Sequence, residues 1–332
     1  MTAPRVSLAL EAMATRFELL LWGGDEGALR AIGQEALAEI SWADAELSRY
    51  RHGSAIFWLN ASAGGRPLRL DARVLALLEQ SRRLSAATLG AFDPTVGPLL
   101  RAWGFVGGQG CIPDPTALAE ARCLVGMEGL ELDPVAGTAR LTIPGMELDL
   151  GAIGKGFALD RAIAVLQEHG VERALLHGGT SSVHVVGGAP DGDAWRFGWR
   201  VPGRSPEIEI VELTAPAFSV SAPHGRAFVH EGRVLGHVLD PRLGAPVMGA
   251  RSAVVFGPSS TVCDALSTAL LVLGEAGRPR LESLFPGVSL RLAQDGAPAA
   301  ATECLGRKAL RRSGRRRASF AGAGRRSPFS SP

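Results

Sequence analysis

Between residues 171 and 255 the chain reads ALLH (174–177), SSVHVV (181–186), WRFGWRV (195–201), IEIVEL (208–213) and FSVS (218–221), short β-branched and aromatic runs separated by Gly, Pro and Asp. Runs of this kind predict strands. RAFVH (226–230) and RVLGHVLD (233–240), joined by Glu231-Gly232, predict a hairpin, since a two-residue Glu-Gly link suits a tight turn. VSLRL near residue 290 reads as a closing strand. On the N-terminal side the period changes. A first strand is expected over 17–22, followed by a helix over 26–48 with Leu29, Ile32, Leu37, Ile40 and Leu47 on one face. Asp71 is a good N-cap for a second helix that turns Val74, Leu77, Leu78 and Leu84 inward. A third, over 156–169, buries Leu159, Ile163 and Leu166 and stops at Gly170. A last helix, over 259–273, is apolar nearly all round and therefore expected to be buried. This order lacks regular βαβ alternation and predicts an α+β fold of largely antiparallel sheets packed with helices.

The composition sets bounds on function. With 332 residues, 46% hydrophobic and 20% charged, the chain can bury a real core. No apolar run approaches the roughly 18–20 residues of a membrane span. The start, MTAPRVSLALEAMATRF, offers neither a signal-peptide apolar region nor a lipidation cysteine, so the expectation for the chain as written is cytoplasmic. Cys111, Cys123, Cys263 and Cys304 lack the spacing of a zinc site or a disulfide framework and read as core or surface thiols. The net charge of +2 hides an asymmetry. From Pro298 onward there are nine Lys and Arg against Glu303 alone, whereas 26 basic and 32 acidic residues precede it. We therefore expect one domain over 1–296 and a basic, disordered tail over 297–332. The positive charge belongs to that tail, and nothing points to nucleic acid as a partner of the fold.

Four segments carry chemistry. ELDLGAIGKGFALD (147–160) sets glycines and Lys155 at a helix entrance, where free N–H groups and the dipole favour an anion such as a nucleotide phosphate. It is not a Walker A loop, because Asp149 replaces the first glycine and Gly156 follows the lysine. Taken alone, a tight strand-to-helix turn with a surface lysine reads the same. Asp264 and Thr268 are four apart on the last helix, so their oxygens share a face. An unpaired carboxylate on an apolar helix is costly to bury, and a hard cation such as Mg²⁺ would explain it; helix capping by Asp264 and back-bonding by Thr268 would explain it too. His237, in GHVLDPRLGAP (236–246), has an ordinary pKa near about 6.5 that suits proton transfer, although a histidine at a strand end is often structural. GAFDPTVGP (90–98) is a loop whose Asp93-Pro94 step starts a turn.

Together these segments resemble something that none shows alone. GAFDPTVGPLLRAWGF (90–105), LDLGAIGKGFALDRA (148–162), GHVLDPRLGAPV (236–247) and CDALSTALLVLG (263–274), in that order, resemble the ApbE family, the FAD:protein FMN transferases. MATRFELLL (13–21) and LSRYRHGSAIFWLN (47–60) are weaker matches, and the likeness spans roughly residues 12–275. The resemblance implies that Asp264 and Thr268 ligate Mg²⁺ with an oxygen from Ala152. It implies that Asp149, Lys155, Ala91, Phe92 and Asp93 contact FAD, with Met13 and Tyr50 nearer its flavin end, and that His237 deprotonates the acceptor. The expected substrate is FAD, and the expected partner is an acceptor protein, such as a redox-complex subunit, with a Thr or Ser flavinylation site. An FAD hydrolase or a flavin-binding protein without turnover would carry the same motifs.

Two departures stand out. The family's Gly-Gly-Asp or Gly-Gly-Asn is Gly178-Gly179-Thr180 here, and its Thr-Ser-Gly is replaced by Ser219-Val-Ser-Ala222. They bear on acceptor recognition and on the adenine end. The absent export signal is also unlike those members that work outside the cytoplasmic membrane.

Overall fold

The computed structural model describes residues 5–192, 194–200, 208–213, 215–223, 226–248 and 251–294. The basic tail expected over 297–332, and Cys304 within it, lie outside the described residues. The framework is one seven-stranded sheet whose strands follow chain order: β1 (Val6–Ala12), β2 (Thr15–Trp22), β3 (Arg173–Gly178), β4 (Ser182–Val186), β5 (Ala217–Ser221), β6 (Arg251–Gly257) and β7 (Ser289–Gln294). Every pairing in it is antiparallel. Alternation along each strand splits the residues between two faces. Phe17, Leu19, Leu21, Leu176, Ala217, Ala253 and Val255 enter the main core, whereas Trp22, Leu175, Phe218, Val254 and Phe256 enter a second core on the other side.

Besides smaller sheets, among them a three-stranded one of Leu68–Arg69, Leu130–Asp133 and Thr138–Leu141, the described residues form eight α-helices: α1 (Glu26–Leu47), α2 (Ala55–Ala61), α3 (Ala72–Ala87), α4 (Gly97–Ala102), α5 (Pro115–Arg122), α6 (Gly154–Glu168), α7 (Ser260–Leu273) and α8 (Arg278–Leu284). The caps come from residues with the right chemistry: Asp25, Ser54, Asp71, Asp114 and Ser259 each accept a first-turn N–H. α1 lies against α6, α6 against α7, and α7 on β5 and β6, so these three helices form the layer over the main core. α7 is buried along most of its length, as its all-round apolar pattern requires. No helix among the described residues is long and apolar enough to cross a membrane.

The α+β expectation holds, with differences in detail. WRFGWRV and IEIVEL do not join the large sheet. They form a separate hairpin, Arg196–Arg200 with Ile208–Glu212, and Trp195, Phe197, Trp199 and Val211 cover the second face. The strand before 17–22 escaped the sequence reading, although VSLALEA alternates cleanly; it supplies the sheet's edge, β1. The hairpin Ala227–His230 with Arg233–Gly236 forms as expected, with positive φ at Glu231 (49°) and Gly232 (75°), the geometry of a type I′ turn. Cys111 and Cys123 are exposed free thiols, and Cys263 is a buried one.

Candidate active site

The site grows from the contact between α6 and α7. Gly156 lies where α6 crosses α7, and a Cβ there would fall inside the Ser260 carbonyl oxygen and 2.9 Å from the Asp264 Cβ. Only glycine allows that approach. With the helices this close, each caps the other. The Asp264 carboxylate, 3% exposed as a residue, accepts the Gly156 N–H on Oδ2 (3.0 Å). In return Asp160 of α6 accepts the N–H groups of Ser260 (2.8 Å) and Thr261 (2.9 Å) and the hydroxyls of Ser259 and Thr261 (both 2.7 Å). Burial alone would raise the Asp160 pKa, but the bonds from His184, Ser259 and Thr261 outweigh it and hold the carboxyl below its usual range. His184 Nδ1 stands 3.2 Å from Asp160 Oδ1 and 2.8 Å from Ser260 Oγ, closing the brace from β4.

The stretch that departs from the family pattern reinforces this wall. Ser219 and Ser221 fall on one face of β5, two residues apart. Ser219 Oγ donates to Asp264 Oδ1 (3.0 Å), and Ser221 Oγ lies 3.1 Å from Thr268 Oγ1 and 2.7 Å from Ser267 Oγ. The hydroxyls at 219 and 221 therefore brace the Asp264–Thr268 pair. α6 itself begins at Gly154, and because Ile153 at the N-cap position has no side-chain acceptor, its cap comes from α7. The Gly156 N–H, which in a regular turn would return to the Ala152 carbonyl, goes to Asp264 instead. Lys155 Nζ rests 3.4 Å from the Gly151 carbonyl, at the rim.

All the residues expected at the site converge. Met13, Tyr50, Ala91, Phe92, Asp93, Asp149, Ala152, Lys155, His237, Asp264 and Thr268 line one cleft of about 800 Å³. That volume falls within the roughly 300–1,000 Å³ common to small-molecule and cofactor sites. Their environments differ. Asp93 spends one oxygen on Thr95, accepting its N–H (2.8 Å) and hydroxyl (2.6 Å), and burial pushes its carboxyl above the ordinary carboxylate value. Tyr50 is 55% exposed at the rim. Met13 and Ala14 form the β1–β2 turn with positive φ (51° and 56°), a strained conformation for side chains with a Cβ, and the Met13 N–H is anchored on Asp44 Oδ1 (2.7 Å). His237 is half-buried. Burial holds its pKa below the usual histidine value; Arg226 and Lys155 act in the same direction, and the Arg226 carbonyl and Asp149 oppose them.

Several site residues escaped the sequence reading. The Arg49 side chain, only 5% exposed, pairs with Glu147 and with Asp149 Oδ2 (3.0 Å), and Arg101 Nε reaches Glu147 Oε1 (3.0 Å). Asn60 clamps the residue between the two acids, donating to the Leu148 carbonyl (3.0 Å) and accepting its N–H (2.7 Å). The charges balance across this lattice, which fixes Asp149 beside the glycine-rich turn. No local signal announces Arg49, because its partners are 98 and 100 residues away. Among the described residues no three His, Cys, Asp or Glu side chains come together as a metal cage.

A helix start capped by its neighbouring helix, a lysine, and a buried carboxylate beside a hydroxyl, all around one cleft, define a protein with a small-molecule or cofactor site. The chain belongs to the ApbE family, whose model matches residues 13–290. It is 34% identical over 260 residues to a FAD:protein FMN transferase of Treponema pallidum, covering 73% of this chain and 71% of that one. A FAD:protein FMN transferase of Klebsiella pneumoniae is 29% identical over 271 residues, 80% of this chain and 77% of that one. Among solved structures, a flavinyl transferase of Pseudomonas stutzeri in its apo form superposes with a TM-score of 0.78 at 29% identity, covering 90% of this chain and 93% of that one. The ApbE protein of Thermotoga maritima gives 0.77 at 26% identity, over 89% and 96% of the two chains.

Proposed function

We propose that this chain, as a transferase of its family, moves the FMN half of FAD onto a Thr or Ser hydroxyl of an acceptor protein, through a phosphoester bond and with release of AMP. The observation that carries the reading is the gathering of four sequence-distant motifs around one cleft. In this reading Lys155, in the first turn of α6, binds the pyrophosphate, the loop 91–93 and Asp149 orient the dinucleotide, and Met13 and Tyr50 border the flavin. His237 takes the proton of the acceptor hydroxyl, whose oxygen attacks the FMN phosphorus as the bond to the AMP oxygen breaks.

The residues fit a divalent hard cation. Asp264 offers a buried carboxylate held in place by Gly156 and Ser219, Thr268 a hydroxyl one turn on, and Ala152 a carbonyl whose usual helical donor is engaged elsewhere. One carboxylate plus neutral oxygens suits Mg²⁺, which keeps water and substrate phosphate oxygens in its shell. Bound there, Mg²⁺ supplies neutralisation of the pyrophosphate charge.

The test is to incubate the full chain with FAD, Mg²⁺ and a protein bearing the candidate hydroxyl. The expected result is a covalent mass increase equal to the FMN moiety, with AMP in equal amount. Free FMN without a modified acceptor would replace the reading with FAD hydrolysis, and a retained flavin without AMP would replace it with binding alone. Asp264→Asn, which keeps an oxygen for Gly156, should leave the fold in place and cut the rate by about 10³-fold, from the several kcal/mol that a Lewis acid contributes. Wild-type turnover in that variant would remove Asp264 from the metal site.

A further inference from the structure

We propose that the main chain of Arg226 is the positioning group for His237, holding the neutral imidazole in the tautomer that is protonated on Nδ1 and bare on Nε2. The proposal rests on the reading of His237 as the base, and it names what makes the ring competent for that role. The hairpin Ala227–His230 with Arg233–Gly236 pairs Ala227 with Gly236, so the residues flanking it, Arg226 and His237, face each other across the hairpin's open end. The His237 N–H donates to the Arg226 carbonyl (2.8 Å), which ties the two backbones together. The ring folds back onto the same residue: Nδ1 lies 3.2 Å from the Arg226 carbonyl oxygen and 3.3 Å from the Arg226 nitrogen.

These two neighbours demand opposite protonation states. The carbonyl can only accept, so it requires a proton on Nδ1 and leaves the Nε2 lone pair free. The N–H can only donate, so it requires a bare Nδ1 and places the proton on Nε2, which then cannot act as a base. The carbonyl arrangement is the one that survives proton uptake. An imidazolium carries N–H groups at both nitrogens, so the Nδ1–H bond to the carbonyl persists and becomes charge-assisted, while a donor facing a donor would repel. A backbone carbonyl thus fills the place that a carboxylate takes in Ser-His-Asp systems, where it sets tautomer and ring orientation. No described carboxylate is hydrogen-bonded to this ring. Phe105 lies edge-on to the ring, with the two ring centroids 6.5 Å apart and the planes at 73°.

The test reads the tautomer directly. The full chain, labelled with ¹⁵N-histidine and held at a pH where His237 is neutral, is compared with His237→Gln to assign its resonances. The expected spectrum has a protonated Nδ1 and a bare Nε2. The same pattern should persist in Arg226→Gln, because the main chain is unchanged there. A spectrum dominated by the Nε2–H form, or a tautomer that changes in Arg226→Gln, would overturn the proposal. Neither result depends on turnover, so it is distinguishable from failure of the transfer reading, which would appear as full activity in His237→Ala with the tautomer intact.

Discussion

The two walls of the cleft are built on opposite plans. The α6–α7 wall is buried and locked, with each helix capping the other and serines of β5 bonding Asp264 and Thr268 from below. The facing wall, formed by Tyr50, the turn 13–14 and the hairpin around Arg226 and His237, is half-buried or exposed and held by few bonds. The difference teaches where stability and chemistry are coupled. On the first wall any change that removes a bonding atom or adds bulk should disturb the fold, an isosteric change such as Asp264→Asn being the exception, whereas on the second activity and stability should separate.

The largest expected effect tests the lock itself. Gly156→Ala places a methyl group inside the Ser260 carbonyl, a backbone atom that cannot rotate away. Forcing α6 and α7 apart should cost about 3 kcal/mol or more, measurable as a lower midpoint in denaturant, and should abolish turnover. A stable Gly156→Ala protein would show that the helix contact is looser than described.

Next comes the cap running the other way. Asp160→Ala leaves the Ser260 and Thr261 N–H groups without an acceptor and should cost about 2–3 kcal/mol, combining a lost cap with buried unsatisfied donors. The pH dependence has a definite sign. The Asp160 pKa is lowered on folding, so its contribution is fully present above the ordinary value of 3.8 and is lost as pH falls through its folded value. Asp160→Asn should flatten that acid limb of stability, and an unchanged limb would assign acid unfolding to other carboxylates.

On the facing wall His237→Ala should change stability by no more than about 0.5 kcal/mol while slowing transfer by about 10²–10⁴-fold. Because burial depresses the His237 pKa, the acid limb of turnover should fall below the ordinary value of 6.5. A limb above 6.5, or equal losses in binding and turnover, would make His237 a structural residue.

The same contrast explains what was legible in the sequence. The locked wall is written locally: glycines and a lysine before an apolar helix, and an acid and a hydroxyl four apart on another. Each segment marks its own position, although the helix predicted from 156 begins two residues earlier, at Gly154. Even here Asp160 was read only as the end of a motif, since its role exists only once the α7 N-terminus docks on it. Other parts of the cleft depend on pairings across the chain. Arg49 meets acids about 100 residues away, and Arg226 meets His237 only because a hairpin closes between them. Local pattern carries no trace of either. The short helices α2, α4 and α5, six to eight residues each, are also too brief for periodicity to distinguish from loops.

The smallest effect belongs to the turn that brings Met13 to the rim. Met13 and Ala14 both hold positive φ, and a residue with a Cβ is disfavoured there by about 1–2 kcal/mol relative to glycine. Ala14→Gly relieves half of that strain but adds unfolded-state freedom worth about 0.5–1 kcal/mol. The net gain should be about 0.5 kcal/mol, roughly 1–2 °C in thermal midpoint, because the two terms nearly cancel. The anchor on Asp44 remains, so the turn should keep its place and the KM for FAD should stay within about two-fold. A loss of stability in Ala14→Gly would mean that the turn is not strained, and a large rise in KM with unchanged stability would mean that the strain itself, and not the Asp44 bond, holds Met13 against the ligand.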